Sequence, residues 1–574
     1  MSNRVLVLAA WLCGGSLCFA QHHPKISPDL ESRNPEAAVN VIVQYKHAVV
    51  QDHIDAVVRQ GGRYHGTLSV VNGAVYSVPA KTLAGMANDP EIAYISPDRT
   101  VSASQAAAAA SASAISALPL DYKLQAVNAT YVQQQGWTGT GIGVAVIDSG
   151  ISDRPDLHGN RGSRVVYAQS FLASGPGRPG PATAPGPASG PAAQVDDVYG
   201  HGTHVAGIVG GNGSQSNGVY AGVATNVNLV NLQVLDSTGS SSDSTVIAAI
   251  QEAIQLKWQY NIRVINLSLG RPVFESYTVD PLCQAVEAAW RAGIVVVVAA
   301  GNDGRNNSAN TEGYGTINAP GNDPYVITVG SMKTEGTATR TDDEIASYSS
   351  KGPTMIDHIV KPDLVAPGNL IISVLGDGPL HAEYPANVVD NHYFILSGTS
   401  MAAPMVSGSA ALMLQQSPNL TPDQVKARLM KTAYKAFPTS SVATDPTTGI
   451  SYTDYYDIFT IGAGYLDVWA AMNNNDTANG SALSPIATYN ARNGTVSISD
   501  ISGQSVIWGT NVIWGTNVIW GTNVIWGTSV IWGTSVIWGT STMTGFSVIW
   551  GTSVIWGTSV PSGQVSTVAI YGEN

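Results

Sequence analysis

Apolar residues recur along the first part of the chain with the spacing of a small mixed domain. Within 40–102, NVIVQYK alternates like a strand, and HAVVQDHIDAVVRQGG carries apolar residues at helical spacing. YHGTLSVVNGAVYSVPA then predicts two strands around Asn-Gly, AKTLAGMANDP a second helix, and IAYISPDRTV a last strand. This βαββαβ order is typical of a small α+β, ferredoxin-like domain.

The longer region 121–475 alternates apolar runs with helical patterns. Runs such as GVAVIDSG and GIVVVVAAG have the length and β-branching of strands that are buried on both faces. Strands that alternate with helices predict a parallel sheet covered by helices on both sides. We therefore expect an α/β fold here, interrupted by a Pro/Gly-rich surface insertion at 174–193.

Two stretches of low complexity separate these regions from the rest of the chain. The Ala/Ser-rich segment 103–120 has no periodic apolar face, which predicts a linker. A second linker is predicted at 476–503, where Asn, Ser and Thr dominate.

A hexapeptide repeat, SVIWGT or NVIWGT, fills 504–560 and is followed by a short tail at 561–574. An even period in an extended chain places Val, Trp and Thr on one side, whereas the Gly-Thr-Asn turns also allow a small β-solenoid. The segment has high β-propensity and no charge, so we expect it to be stacked, docked or removed. A mobile tail, a β-structured surface-binding module and a secretion element stay open, and its partner is unidentified.

The first 20 residues have the pattern of a signal peptide. Arg4 provides the positive start, Val5 to Cys13 the apolar run, and Cys18-Phe19-Ala20 a small-residue cleavage site. This run is too short to span a bilayer, and we expect no membrane span elsewhere. The pattern predicts a secreted or extracytoplasmic protein, with cell-surface association left open.

Composition narrows the possible partners. The chain of 574 residues has a net charge of −13 and no basic run, which argues against a nucleic-acid partner. Beyond the predicted signal peptide, Cys283 is the one cysteine, so an intramolecular disulfide framework is excluded in the mature chain. We expect Cys283 to be a buried, apolar residue of a helix.

Three segments of the α/β region carry residues of a catalytic type. Asp148 ends the strand GVAVIDSG, His201 opens a helix in YGHGTHVAGIVGG, and Ser400 follows a glycine turn in SGTSMAAPMVSGSAALML. Ligands of an open parallel sheet bind beyond the carboxyl ends of its strands, where all three segments fit. A serine nucleophile needs a base, and the base needs an orienting group, which are roles for Ser400, His201 and Asp148.

Two further strand ends support this chemistry. In VVVVAAGNDG, a buried strand ends at Asn302, which offers an amide donor for a tetrahedral oxyanion, with the Ser400 N–H as second donor. VINLSLG ends in Ser268, Leu269 and Gly270, which offer an edge to an extended substrate. The simpler alternatives are a helix N-cap role for Ser400 and a turn role for Asn302.

The motifs DSG, HGTHVAG, AAGN and GTSMAAP stand in the order of the subtilisin-like serine proteases, and 122–472 resembles that family. The resemblance implies a subtilisin-like parallel sheet flanked by helices, with Asp148, His201 and Ser400 as the triad and Asn302 at the oxyanion. It implies a substrate cleft lined by Ser268, Leu269, Gly270, Ala299, Ala300 and Gly301. It also implies a zymogen, in which 21–102 is a propeptide that assists folding, inhibits the enzyme and is cut away in the Ala/Ser linker.

Metal binding is not required for this chemistry. The resemblance places Asp156 at a calcium ligand of the family, but 211–222 differs in length from the family's calcium loop, so structural calcium stays open. His201 and His204 are spaced like a metal pair, yet no third ligand of suitable spacing is evident. We expect His204 to be a packing residue.

The resemblance thus implies a secreted serine endopeptidase that acts on protein or peptide substrates through an acyl-enzyme. One alternative is an inactive protease homologue that acts through its repeats as a surface-binding or matrix protein. The other is a different serine hydrolase, such as an esterase. The order Asp, His, Ser and the absence of a G-x-S-x-G elbow at Ser400 argue against an esterase.

Overall fold

The computed structural model describes residues 23–31, 33–103, 122–172, 195–308, 310–445, 448–490, 495–499, 506–508 and 512–514. The predicted signal peptide, nearly all of the Ala/Ser linker, the Pro/Gly insertion, most of the repeats and the tail lie outside these residues. No helix among the described residues has the length and apolar character needed to cross a membrane.

An antiparallel sheet forms the centre of the N-terminal unit. The elements of this unit are α1 (Pro28–Glu31), β1 (Ala38–Tyr45), α2 (Gln51–Arg59), β2 (Arg63–Leu68), β3 (Gly73–Pro79), α3 (Leu83–Ala87), β4 (Ile92–Pro97) and β5 (Thr100–Ala103). The sheet has the order β2-β3-β1-β4, which is the order of a ferredoxin-like domain. Asn72, with a φ of 49°, makes the turn into β3, a conformation that Asn tolerates well.

The rest of the described chain forms one larger α/β unit with small appended sheets. Its strands are β6 (Gly143–Asp148), β7 (His158–Gly159), β8 (Gly162–Ser163), β9 (Val165–Ser170), β10 (Asn228–Gln233), β11 (Ser240–Ser242), β12 (Ile262–Leu267), β13 (Leu269–Gly270), β14 (Val295–Ala299), β15 (Ile327–Lys333), β16 (Glu344–Ile345), β17 (Leu364–Pro367), β18 (Ile371–Val374), β19 (Val388–Val389), β20 (Tyr393–Leu396), β21 (Ser440–Thr444), β22 (Ser451–Tyr455), β23 (Ala478–Asn479), β24 (Ile486–Asn490), β25 (Thr495–Ser499), β26 (Val506–Trp508) and β27 (Val512–Trp514). Its helices are α4 (Lys123–Ala126), α5 (Ala129–Gln134), α6 (His201–Gly210), α7 (Asp243–Gln255), α8 (Lys257–Tyr260), α9 (Pro281–Arg291), α10 (Leu380–Glu383), α11 (Thr399–Gln416), α12 (Pro422–Thr432) and α13 (Val468–Met472).

A largely parallel sheet is the core of this unit. Its strand order is β16-β15-β14-β12-β6-β10-β9, with β17 paired to β15, and only the short β16 runs antiparallel. Strands β6 and β14 are buried along their whole length, as expected for strands covered on both faces. Helix α11 packs on β12, β14 and β15 and against α6, whereas α7 packs against α9. The predicted parallel sheet flanked by helices is confirmed.

The N-terminal unit lies on helices α7 and α9. Ser69 Oγ donates to Gln251 Oε1 at 2.8 Å, and Gln44 Nε2 donates to Gln284 Oε1 at 2.6 Å. Cys283 lies in the same helix as Gln284, is fully buried, and donates through Sγ to Asn322. The N-terminal unit is thus an integral part of the packed structure.

Residues 476–490 differ from the free linker that their composition predicts. Ser484 is fully buried and donates to Asp363 Oδ1 at 2.5 Å, and Ala482 and Ala487 are also buried. The backbone of Ala487 donates to the His358 carbonyl at 2.8 Å. Small side chains and backbone hydrogen bonds can hold a segment against the rest of the protein without any apolar pattern in its sequence. The composition of 476–490 therefore resembles that of a linker although the segment is packed.

The first described repeats contribute two antiparallel strands. β26 and β27 pair antiparallel, with Ile507 opposite Ile513, and β23 pairs with β26, with Ala478 opposite Trp508. β27 begins six residues after the start of β26, so the spacing of the two strands equals one hexapeptide. The later copies lie outside the described residues.

Candidate active site

Neighbouring parallel strands bring three candidate residues to one edge of the sheet. Strands β14, β12 and β6 are adjacent and parallel. Asp148 is the last residue of β6, Ser268 follows β12, and Asn302 lies three residues after β14. Because the carboxyl ends of parallel strands meet at one edge, these residues surround a common site.

His201 is held against Asp148 at the start of α6. Its Nδ1 lies 2.7 Å from Asp148 Oδ1, and both side chains are buried. The helix begins after Gly200, whose φ is 104° and where a Cβ would lie 2.8 Å from the Asp377 carbonyl oxygen. The carboxylate fixes the tautomer with the proton on Nδ1, which leaves Nε2 of His201 as the base.

The environment of His201 suits a base that works near neutral pH. Burial lowers the pKa of His201, but the adjacent Asp148 carboxylate raises it, and overall the pKa lies above its ordinary value. Its Nε2 has no hydrogen-bond partner among the described residues. This atom is therefore available for a proton from a nucleophile.

Ser400 is the second residue of α11, which begins directly after Gly398. Gly398 precedes the helix with a φ of 149°. The Ser400 hydroxyl donates to the Ser268 carbonyl at 3.1 Å, and Ser268 Oγ donates to the Ser400 carbonyl at 2.8 Å. Since α6 and α11 pack against each other, the candidate base and the candidate nucleophile lie at the starts of neighbouring helices.

Asn302 is fixed by the residue that precedes Ser400. Its Oδ1 accepts from the Thr399 backbone N–H at 2.9 Å and from Thr399 Oγ1 at 3.0 Å. A Cβ at Gly398 would lie 3.0 Å from Asn302 Nδ2, so the amide group sits at the glycine turn. The amide donor and the start of α11 are thus held together, as an oxyanion site requires.

The predicted cleft edge is occupied by the protein's own chain. Strand β5 pairs antiparallel with β13, with Ala103 opposite Leu269 and Ser102 opposite Gly270. On its other side β5 pairs with β11, and the Ala103 N–H donates to the Gly239 carbonyl at 2.9 Å. Ser268, Ala299, Ala300 and Gly301 are buried around this edge.

The segment from Gly239 to Ser242, which pairs with the other side of β5, is absent from the sequence-based prediction. The sequence STGSSS has no apolar period and no catalytic residue type. It becomes a candidate edge only through its position across β5 from Leu269 and Gly270.

The residues around Asp156 do not fit a calcium ion. Asp156 Oδ1 accepts from Ser214 Oγ at 2.8 Å and from the Gln215 N–H at 2.9 Å, and Oδ2 accepts from Tyr393 Oη at 2.6 Å. The Arg164 guanidinium donates to the Asp156 carbonyl at 2.9 Å, so this oxygen also has a partner within the protein.

His204 is unsuited to bind a metal with His201. Its Nε2 lies 2.9 Å from the Phe394 carbonyl, and burial lowers the pKa of His204 to about 3. The imidazole is therefore neutral and packed. Groups of three or more His, Cys, Asp or Glu residues that could hold a metal are absent from the described part of the chain.

Comparison with known proteins identifies the family. The family model described as the subtilase family matches residues 139–447, more than half of the 574-residue chain. The chain belongs to the subtilase family. This subtilase therefore belongs with the subtilisin-like serine endopeptidases.

Individual relatives agree with this assignment. The subtilase is 39% identical to serine protease AprX of Bacillus subtilis over 322 residues, which are 54% of this chain and 65% of AprX. It is 33% identical to subtilisin E of B. subtilis over 380 residues, which are 66% of this chain and 80% of subtilisin E.

A solved structure supports the fold. Fervidolysin from Fervidobacterium pennivorans superimposes with a TM-score of 0.54 at 22% identity, covering 79% of this chain and 63% of fervidolysin. The subtilase thus covers less than two thirds of the length of AprX and of fervidolysin.

Proposed function

We propose that this subtilase is a secreted endopeptidase that hydrolyses peptide bonds through an acyl-enzyme on Ser400. The observation that carries the proposal is the 2.7 Å contact between Asp148 and His201 at the edge where Ser400 and Asn302 also lie. The predicted signal peptide supports secretion. So does a relative from Thermus named extracellular serine proteinase, which is 34% identical over 362 residues.

The proposed reaction uses the described residues in fixed roles. Ser400 Oγ attacks the carbonyl carbon of the peptide bond while His201 Nε2 takes the hydroxyl proton. Asn302 Nδ2 and the Ser400 N–H donate to the oxyanion. His201 then returns the proton to the leaving amine as the C–N bond breaks, and a water molecule hydrolyses the ester. During attack the Ser400 hydroxyl donates to His201 instead of to the Ser268 carbonyl.

Substrates are proposed to bind as an extended strand between β11 and β13. Residues 100–103 adopt this arrangement, with main-chain hydrogen bonds on both sides. Main-chain pairing gives affinity without dependence on side-chain type. Unfolded or extended polypeptides are therefore the proposed substrate class.

The same strand supports a propeptide role for the N-terminal unit. β5 runs antiparallel to β13, so the chain leaves Ala103 in the direction of Ser268, whose carbonyl contacts Ser400. We propose that the enzyme first cuts its own chain shortly after Ala103. The segment that follows lies outside the described residues.

A buried ion pair connects the proposed propeptide to the catalytic unit. Arg99 Nη1 donates to Glu275 Oε1 at 2.7 Å, and Arg99 Nε donates to Asp29 Oδ2 at 3.0 Å. Arg99 and Glu275 are both buried. Removal of one partner of such a pair costs about 3–5 kcal/mol, because the other charge stays buried without its partner.

Arg99→Met is therefore expected to weaken the hold of the cut N-terminal unit by about 100-fold or more. The measurement is the lag between the first cut and the appearance of peptidase activity, which the substitution should shorten. Lys81→Met is the control, because it removes an exposed pair with Glu36 whose side chains are 56% and 73% exposed. Equal lags in both variants would contradict the inhibitory role of the Arg99 contacts.

Asn302→Ala is expected to lower kcat by about 10²–10³ with little change in KM, because one oxyanion donor is lost. Steady-state kinetics on a peptide substrate measure this change. Asn212→Ala is a matched control, since this amide donates to the His158 carbonyl and accepts from Ser214 beyond the far end of α6. An unchanged kcat in Asn302→Ala would show that Asn302 does not stabilise the oxyanion.

The proposed function is tested with the matured protein and a fluorophosphonate probe, which phosphonylates activated serines with loss of fluoride. Peptide mapping is expected to place the adduct on Ser400, and the adduct should abolish cleavage of an unfolded protein. Labelling of Ser400 with turnover of esters but not of peptides would favour an esterase. A folded, matured protein that neither reacts nor cleaves would contradict enzymatic function.

A further inference from the structure

We infer that Asp197 is a positioning residue of the catalytic site, which fixes the start of α6 relative to the strand end that carries Asp148. The inference rests on the proposed function, since it concerns the geometry and basicity of His201. It adds a second carboxylate to the three residues of the triad.

The Asp197 carboxylate is buried and accepts five hydrogen bonds. Its Oδ1 accepts from Ser149 Oγ at 2.7 Å, from the Gly200 N–H at 2.7 Å and from the Tyr199 N–H at 3.1 Å. Its Oδ2 accepts from the Thr203 N–H at 2.8 Å and from Thr203 Oγ1 at 2.7 Å. All of these donors lie in the two segments that carry Asp148 and His201.

The five hydrogen bonds of Asp197 link the same two segments as the Asp148–His201 contact. Ser149 directly follows Asp148, and Thr203 lies two residues after His201. Asp197 therefore connects the same strand end and the same helix start through different atoms. The Gly202 N–H donates to Ser149 Oγ at 2.9 Å and so joins the start of α6 directly to the residue that follows β6. A shift of α6 along β6 would break several of these bonds at once.

The donors also define the charge of Asp197. Three of the five are backbone N–H groups, which can only donate, so they favour the ionised carboxylate. Burial acts in the opposite direction and raises the pKa of Asp197. We assign the ionised form, because each oxygen has at least two donors and little room remains for a carboxyl proton.

A second negative charge near His201 stabilises its protonated form. The ionisable groups around the ring are Asp148 on β6, Asp197 before α6 and the neutral His204 one turn along the helix. Asp148 makes the larger contribution to the raised pKa of His201, and Asp197 adds to it. Asp197 thus contributes to both the orientation and the basicity of the base.

The test is Asp197→Asn in the full chain, assayed after maturation. The amide keeps the size of the side chain, but its NH₂ group replaces one acceptor oxygen and then faces N–H donors that it cannot accept from. We expect kcat to fall about 10- to 100-fold, because small displacements of catalytic groups have effects of this size, with KM little changed. We also expect the acid limb of kcat/KM to move to lower pH, because loss of the charge lowers the pKa of His201.

Asp156→Asn is the matched control. Asp156 is equally buried and accepts from two hydroxyls and one N–H, but none of its donors lies in the segments that carry Asp148 and His201. It is expected to lower the melting temperature without moving the acid limb. If Asp197→Asn leaves kcat and the acid limb unchanged, or changes only the melting temperature as Asp156→Asn does, the inference is wrong.

If Asp197→Asn does not fold, Thr203→Val is measured in its place. It keeps the shape of the side chain but deletes one donor to Asp197 and the acceptor of the Ser152 N–H. We expect kcat to fall about tenfold, because a small displacement of the start of α6 misplaces His201. Wild-type kcat in Thr203→Val would overturn the inference. An inactive wild type would instead contradict the proposed function, so the two failures are distinguishable.

Discussion

Ser400→Ala is expected to lower kcat for peptide hydrolysis by about 10⁶, because the acyl-enzyme can no longer form. The hydroxyl is the only group at this position that can attack, and its loss leaves His201 and Asn302 in place. The variant cannot cut its own chain, so a trace of tagged wild-type enzyme is used to cut it and is then removed. Burst and steady-state kinetics on a peptide ester and a peptide amide measure the residual rate.

Ser409→Ala is the control for this substitution. Ser409 is also buried in α11, but its hydroxyl donates only to the Met405 carbonyl within the same helix. The kcat of Ser409→Ala should stay within about threefold of wild type, since this hydrogen bond contributes only about 1 kcal/mol to stability. A kcat of Ser400→Ala within about 10²-fold of wild type would show that Ser400 is not the nucleophile, because loss of the nucleophile costs about 10⁶.

Asp148→Asn is expected to lower kcat by about 10⁴, the second-largest effect. The Asn side chain presents an NH₂ group or an uncharged oxygen to His201 Nδ1. The NH₂ group would place the imidazole proton on Nε2, the nitrogen that must accept the proton of Ser400. The loss of the carboxylate should also lower the pKa of His201.

Kinetics and NMR of the imidazole nitrogens measure these two effects in Asp148→Asn. The ¹⁵N shifts of His201 should show the Nε2–H tautomer in the variant and the Nδ1–H tautomer in the wild type. The Asp156→Asn protein serves again as the buried-carboxylate control and should keep the wild-type tautomer. A wild-type kcat in Asp148→Asn would contradict the role of this carboxylate as the orienting group.

Much of the larger unit can be predicted from its sequence because its strands are buried on both faces. The run from Val295 to Ala299 has no polar residue, and such a run fits only a covered strand or a buried helix. Its shortness and β-branching favour the strand. In the N-terminal unit, Asn72-Gly73 marks the turn between two strands, where the chain adopts a left-handed conformation.

The candidate catalytic residues can be singled out in the sequence because each stands near the end of a strand or the start of a helix. Asp197 cannot be, since DDVYGHG offers two adjacent carboxylates and no pattern that selects one. Its role depends on Ser149, which lies 48 residues away in sequence. Ser240 to Ser242 were missed for the same reason, because a strand edge is defined by its partner β5.

For the second predicted linker, the polar composition predicts a free segment where the structure has a packed one. Residues 476–490 have a polar composition, yet Ser484 is buried beside Asp363 and Lys426. The two buried charged groups need polar partners, and a serine supplies one. Composition reports how much apolar surface a segment offers, whereas its hydrogen bonds to a charged cluster depend on the tertiary structure.

The intact mass of the full-length protein, followed over time beside Ser400→Ala, tests the central claim most directly. We predict that the wild type loses its N-terminal unit by a cut shortly after Ala103 and then cleaves an added unfolded protein. The variant should stay whole under the same conditions. The account would be contradicted if both folded proteins stayed whole and inert, or if both were cut at the same site and rate.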